Sequence, residues 1–252
     1  MKKNENVIYI SLVSLLMLIT FIILLALSIT KINEWKKDNK ENNFINAEIQ
    51  ESTIIQKDNN VEGESTYKID FSALKEINSD VVGWLEVPGT NVKYSVVKAN
   101  NNDYYLTHNF NKEYNSSGWI FADYNNKVDG TDKNLIIYGH NVKDNSMFGS
   151  LKNIINEEWY NNQENYNITF MTENTNEIYR VFSVYKIEVE DYYIQTKFDN
   201  SKAFGNFVKT LKERSIKKFD EEVSAEDNIL TLSTCANNNK YRIVLHAKKV
   251  HK

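Results

Sequence analysis

From Val7 to Ile29 the chain reads VIYISLVSLLMLITFIILLALSI, without one charged residue. Wound as a helix rising about 1.5 Å per residue, the stretch would reach roughly 34 Å, enough to cross the hydrocarbon core of a bilayer. It is too apolar all round for a core helix, and longer than the apolar stretch usual in a cleaved leader, so it reads as a transmembrane helix. Basic residues flank both ends, Lys2 and Lys3 before and Lys31, Lys36 and Lys37 after, so charge does not settle orientation. The size asymmetry points to a short cytoplasmic tail at 1–6, a span at 7–29 and a large extracellular remainder. Residues 30–66 are polar and charged, with no sustained apolar stripe beyond Phe44, Ile45 and Ile49, and are expected to form a stalk, partly helical at best.

The pattern changes near Tyr67, where a folded domain is expected to begin and to run to residue 252. Asp70, a suitable N-cap, precedes Phe71, Leu74 and Ile77 at helical spacing. Gly83-Trp84 then opens a region of β-rich runs: Val92–Val97, Gly118–Ala122, Leu135–Tyr138, Tyr166–Met171, Ile178–Val189, Ile229–Ser233 and Tyr241–Val250. Phe204, Phe207, Val208 and Leu211 recur at three and four behind Asn200-Ser201, predicting one amphipathic helix late in the chain. Met147, Phe148 and Leu151 predict a shorter one. Many strands with few helices predict a mostly β fold, a closed or nearly closed barrel with added helices.

Composition narrows the function. With 252 residues, 41% hydrophobic and 12% aromatic, the chain can build one good core beside the membrane segment. The net charge of -4 arises from acidic and basic residues intermixed along the chain, which gives no concentrated basic face and argues against nucleic acid as a partner.

The single cysteine, Cys235, carries the candidate chemistry. A lone cysteine is ordinarily a small buried hydrophobe. Cys235, however, follows the β-rich run ILTLST and precedes the turn-like ANNNK, where a strand ends and side chains become accessible. A thiol with a pKa of roughly 8.5 needs a base or a nearby positive charge to act as a nucleophile at neutral pH. Of the four histidines, His140 also ends a strand-like run, NLIIYGH, while His108 lies in YYLTHNF, His246 inside the last strand and His251 in the tail. Arg242 follows Cys235 by one short loop and would begin the neighbouring strand. There a guanidinium could stabilise charge on a carbonyl oxygen, or orient a peptide through two donors, or simply face solvent.

Together LIIYGHN, ILTLSTC and YRIVLHA resemble the three signature strands of sortases, transpeptidases that attach proteins to bacterial cell walls; TLSTC matches the T-L-x-T-C pattern of that family in full. NSDVVGWLEVPGTNVKYSVVKANNNDYYLTHNF followed by GWIFADY resembles class B members in particular, and the likeness covers roughly residues 67 to 252. It implies a barrel of seven to eight strands with N-terminal helices and a helix between the sixth and seventh strands. It further implies that Cys235 attacks the carbonyl after Thr in an Asn-Pro-x-Thr-type sorting signal, with His140 as acid/base partner and Arg242 assisting the oxyanion. A peptidoglycan precursor amine would resolve the thioester, with no metal and no organic cofactor. Asn102, Leu106, Tyr138, Tyr193, Ile194, Ser233 and Thr234 match positions that line the peptide groove. The chain departs from class B in having Ser95 where Pro is frequent and in a short, Asn-rich segment after Cys235. Its only proline is Pro88, so the Asp-Pro-aromatic lid of pilin-polymerising sortases is absent. A hydrolytic cysteine peptidase would share the thioester step, and a binding module without catalysis would share the barrel. A papain-like arrangement is disfavoured, because there the cysteine precedes the histidine.

Overall fold

The structure, a computed structural model, describes residues 2–56, 67–235 and 240–250; for residues 2–11, Gln56 and Cys235 it describes the backbone alone. The expected stalk segment 57–66, most of the turn after Cys235 and His251 lie outside the described residues.

Helix α1 spans Lys2–Thr53 without interruption. Its apolar stretch exposes Leu15, Leu16, Phe21, Ile22 and Leu24 around the whole circumference, and the helix is long and apolar enough to cross a membrane. Residues through Glu41 form one compact unit and those from Asn42 onward a second. The expectation of a stalk only partly helical therefore gives way to helix as far as Thr53. The closing turns of α1 belong to the second unit and pack on it through the pair Ile45 and Ile49, four residues apart. Polar anchors do the rest. Asn42 Nδ2 donates to Gly118 O at 3.0 Å and Asn115 Oδ1 at 3.1 Å, and Gln50 Nε2 donates to Lys93 O at 3.2 Å. Two isoleucines make too narrow a stripe to read as a docking face in sequence.

A short ribbon of β1 (Ile54–Gln56) and β2 (Tyr67–Ile69) follows, and then α2 (Phe71–Ile77). Asp70 caps α2 by accepting from Ala73 N at 3.0 Å. Eight strands then close a barrel: β3 (Val81–Glu86), β4 (Lys93–Val97), β5 (Phe121–Ala122), β6 (Asn134–His140), β7 (Asn167–Met171), β8 (Asn176–Glu188), β9 (Ile229–Cys235) and β10 (Tyr241–Lys249). Their order around the barrel is β10-β8-β7-β3-β4-β5-β6-β9. Short helix α3 (Glu157–Tyr160) precedes β7. Helix α4 (Ser201–Glu213) lies between β8 and β9, the sixth and seventh barrel strands. Its stripe of Phe204, Phe207, Val208 and Leu211 packs against Phe182, Tyr185, Ile229 and Val244. With α4 outside and the barrel core within, β9 is covered on both faces, and every residue from Ile229 to Thr234 is buried. That explains its near-continuous run of apolar and small polar residues beside the parallel strand β6.

Two expected elements of the barrel domain also take another form. The strand expected at Gly118–Ala122 shrinks to two residues, because Gly118 turns with φ +55° and Trp119 N donates to Tyr105 O at 2.9 Å instead of to a strand. The helix expected around Met147 becomes a 3-10 segment, Gly149–Ile155, preceded by Met147 at φ 48°.

Candidate active site

The barrel's hydrogen-bond register assembles the site. Strands β6 and β9 run parallel, with His140 paired to Cys235 and Tyr138 to Ser233. Strand β10 runs antiparallel to β9 on its other side, with Val244 paired to Ser233. Arg242 therefore sits at the same end, and its Nη1 donates to Thr234 O at 2.9 Å, the carbonyl immediately before Cys235. Ile243 N donates to Thr234 Oγ1 at 2.9 Å, closing the strand pair there. His140 and Cys235 thus end β6 and β9, and Arg242 lies at the start of β10, so three adjacent strands bring these residues to one end of the barrel with Cys235 on the central strand.

His140 is 3% exposed. Its Nε2 lies 2.8 Å from Leu106 O, and a carbonyl can only accept, so Nε2 carries the proton and Nδ1 holds the free lone pair. Among the described residues Nδ1 has no hydrogen-bond partner. Burial pulls the imidazole pKa below the ordinary histidine value, and the Leu106 carbonyl opposes that pull without overcoming it. The group is a neutral base with a fixed tautomer. Gly139 allows this placement for reasons of space: a Cβ there would lie 2.7 Å from Phe148 Cγ.

The other two histidines among the described residues are occupied elsewhere. His108 stacks on Tyr104, ring centroids 4.1 Å apart and 8° from parallel. His246 is fully buried on the α4-facing side of the barrel wall, between Tyr185 and Thr231. Among the described residues no group of three or more His, Cys, Asp or Glu is arranged to hold a metal.

Six of the seven candidate groove residues fall into two clusters, and the seventh, Thr234, bonds to Arg242 and Ile243. Asn102 donates through Nδ2 to Asp123 Oδ2 at 2.8 Å and accepts from Tyr124 N at 2.9 Å, and Tyr138 donates to the same Asp123 oxygen at 3.0 Å. Leu106 is half-buried beside them at the end of the 3-10 turn Tyr104–Leu106. On the other side, the Tyr193 hydroxyl lies 2.9 Å from Ser233 Oγ, while Ile194 is half-buried and packs against the α4 cluster. Tyr138, Tyr193, Ser233 and Thr234 are buried, so Asn102, Leu106 and Ile194 present the open surface of the set. Sequence reasoning missed Asp123. This carboxylate, 3% exposed, joins Asn102 to Tyr138 and also accepts from Asn125 N at 2.8 Å. Its signal was present in the GWIFADY segment, where an acid directly follows a buried β run.

The chain is similar to known proteins in sequence and in fold. The sortase domain family matches residues 85–250. Sortase B of Listeria monocytogenes is 37% identical over 198 residues, covering 77% of this chain and 78% of that protein. A crystal structure of a Bacillus anthracis protein similar to sortase B superposes with a TM-score of 0.73 at 38% identity, covering 84% of this chain and 97% of that one. A Staphylococcus aureus sortase B–substrate complex superposes with a TM-score of 0.67 at 35% identity, covering 71% of this chain and 84% of that one. With a strand-end cysteine, histidine and arginine on a closed eight-stranded barrel, the chain belongs to the sortase family, in its class B branch, and is a cysteine transpeptidase of the kind that anchors proteins to the cell wall.

Proposed function

We propose that Cys235 is the nucleophile, His140 the proton carrier and Arg242 the electrostatic partner in cleaving an Asn-Pro-x-Thr-type sorting signal after its Thr. The observation that carries this reading is the pairing of His140 with Cys235 across β6 and β9, together with the Arg242 bond to the carbonyl preceding Cys235. The lone pair of His140 Nδ1 takes the thiol proton as sulfur attacks the Thr carbonyl carbon. The resulting oxyanion is stabilised by the Arg242 guanidinium. As the intermediate collapses, the carbon–nitrogen bond breaks and His140 returns the proton to the leaving amine, so the Thr acyl group is held on sulfur as a thioester. An amine of a peptidoglycan precursor then attacks the thioester, its proton passes to His140, and His140 delivers that proton to the departing sulfur, which restores the thiol and the neutral imidazole. Burial suits His140 to the opening step, since a neutral imidazole is a base and an imidazolium is not.

In this reading residues 1–6 are cytoplasmic, 7–29 cross the membrane once, 30–66 lead outward and 67–252 carry catalysis, with the closing turns of α1 docked on that domain. The site then faces the compartment where sorting-signal proteins and wall precursors meet. Asn102, Leu106 and Ile194 contact the peptide, and Tyr138, Tyr193, Ser233 and Thr234 hold the walls of its groove.

The test incubates the full chain in detergent micelles with a fluorogenic Asn-Pro-x-Thr peptide, with and without an amine acceptor, beside Cys235→Ala. Cleavage that the substitution abolishes, and an amine-linked product when acceptor is present, are expected. Cleavage undiminished in Cys235→Ala would overturn the nucleophile assignment; turnover without any amine adduct would make the protein a hydrolase.

A further inference from the structure

A chain of buried polar groups crosses the barrel wall from β8 to β6 and ends on the segment that carries two of the groove candidates. Tyr185 on β8 lies 2.7 Å from His246 Nε2 on β10, and His246 Nδ1 lies 2.8 Å from Thr231 Oγ1 on β9. Thr231 Oγ1 donates to Asn134 Oδ1 on β6 at 2.6 Å. Asn134 Nδ2 then donates to two backbone carbonyls, Tyr193 O at 3.3 Å and Gln195 O at 2.9 Å.

The far end dictates every proton in this chain. Carbonyls only accept, so the Asn134 amide must turn its nitrogen to Tyr193 and Gln195 and its oxygen to Thr231. The Thr231 hydroxyl must then donate to that oxygen, so it can only accept from His246, whose proton sits on Nδ1. Tyr185 donates to the remaining Nε2 lone pair. No other assignment satisfies all four side chains, and each is buried, where an unpaired polar group is costly. Segment Tyr193–Gln195 is held from its other sides as well. Ile194 N donates to Asp191 O at 3.0 Å, and the Arg214 guanidinium lies 4.0 Å over the Tyr192 ring. Tyr193 reaches Ser233, two residues before Cys235.

We infer that Asn134, oriented by Thr231 and His246, is a positioning residue for the peptide groove, fixing the Tyr193–Gln195 segment through its two carbonyl bonds. The inference rests on the proposed function, which places Tyr193 and Ile194 at the groove. Asn134 touches no substrate and acts through the backbone it holds. Loosening that backbone weakens peptide binding in the ground state and the transition state alike, so the loss appears in KM and not in kcat.

The experiment compares Thr231→Val, which keeps the shape and removes the hydroxyl, with Thr231→Ser, which keeps the hydroxyl. The full chain in detergent is assayed on the Asn-Pro-x-Thr peptide, and amide hydrogen exchange is followed in 191–196. Thr231→Val should raise KM about tenfold, with kcat within about twofold, the scale set by losing buried hydrogen bonds. Amides of 191–196 should exchange about tenfold faster while those of β6 and β9 keep their protection. Thr231→Ser should restore both readings. If Thr231→Val does not fold, Asn134→Ala carries the same test, since it deletes the donors and leaves Thr231 bonded to His246. An unchanged KM and unchanged exchange would overturn the inference, as would a fall confined to kcat. Should the wild type fail to cleave the peptide, the proposed function falls, and the exchange arm still decides whether Asn134 holds the segment.

Discussion

Acid should destabilise this fold through His246 by an amount the structure allows to be worked out. The ring is fully buried between Tyr185 and Thr231, with the rings of Phe182, Tyr185 and Tyr193 around it, and burial drives its pKa down to about 3. Both of its nitrogens are committed, one as donor and one as acceptor, so an added proton would force the Tyr185 hydroxyl to turn from donor to acceptor. The folded-state value lies below the unfolded value of about 6.5, so protons bind the unfolded chain preferentially. The stabilisation from neutral His246 is therefore complete above about pH 6.5 and is lost as pH falls toward about 3. Each pH unit in that window removes about 1.4 kcal/mol, so acidification from pH 7.5 to 4.5 should remove about 2.7 kcal/mol through this one residue.

His246→Gln isolates the effect, because a glutamine amide can still donate toward Thr231 and accept from Tyr185 but cannot titrate. At pH 7.5 the variant should be less stable than the wild type by about 1–2 kcal/mol from imperfect packing and hydrogen bonding. On acidification its loss should be smaller than that of the wild type by about 1.4 kcal/mol per unit below pH 6.5, so the two curves cross at about pH 5 to 6. His140 also has a lowered pKa and contributes acid sensitivity of the same sign, but it is present in both proteins and cancels in the difference. Urea unfolding of the detergent-solubilised chain, followed by fluorescence of buried Trp84, Trp119 and Trp159, measures both curves. Parallel curves for wild type and His246→Gln between pH 7.5 and 4.5 would refute the assignment of a buried neutral histidine.

Other outcomes follow from the same geometry. Because burial holds the His140 pKa below its ordinary value, the base form persists to lower pH, and the acid limb of kcat/KM for peptide cleavage should lie below about pH 6.5; a limb above that value would contradict a desolvated His140. Asp123→Asn puts an amide donor where the carboxylate accepts from Asn102, Tyr138 and Asn125, and should lower stability by about 2–4 kcal/mol and raise the peptide KM, read by urea unfolding and steady-state kinetics. Gly139→Ala would drive a methyl into the Phe148 ring and displace His140, costing about 1–3 kcal/mol and lowering kcat, whereas Gly205→Ala on α4, where a Cβ meets nothing, should raise the unfolding midpoint slightly. Ile49→Ala removes a side chain wedged between α1 and the barrel and should cost about 2–4 kcal/mol, seen as a lower thermal midpoint with peptide cleavage intact at 25 °C.

What the sequence made legible follows from how each feature is encoded. The candidate chemistry sits on strand ends, and strand ends are marked locally: NLIIYGH and ILTLSTC are each a buried β run closing on a candidate residue, and β6 and β9 pair His140 with Cys235. Helix α4 was equally visible, because its four apolar residues form one stripe whose partners lie on a single side. The features that escaped are made by long-range polar pairing. Asp123 looks like any acid after a strand until Asn102 and Tyr138 converge on it, and His246 looks like any inward strand residue until Tyr185 and Thr231 close around it. The docked end of α1 escaped for the same reason, since its contact depends on Asn42 and Gln50 reaching the distant backbone carbonyls of Gly118 and of Lys93 in β4. An apolar core can be read from periodicity because water alone defines its inside, whereas a polar network is defined by particular donors and acceptors that only the folded topology brings within 3 Å of one another. In this enzyme such networks surround the candidate groove on both sides, Asp123 behind Asn102 and Tyr138, and Asn134 behind Tyr193. The proposed reacting groups are therefore the best-marked part of the candidate site in the sequence, and the polar groups behind its candidate groove are the least. Two sortases that share every signature residue can accordingly differ in the peptides they accept through buried residues that no signature contains.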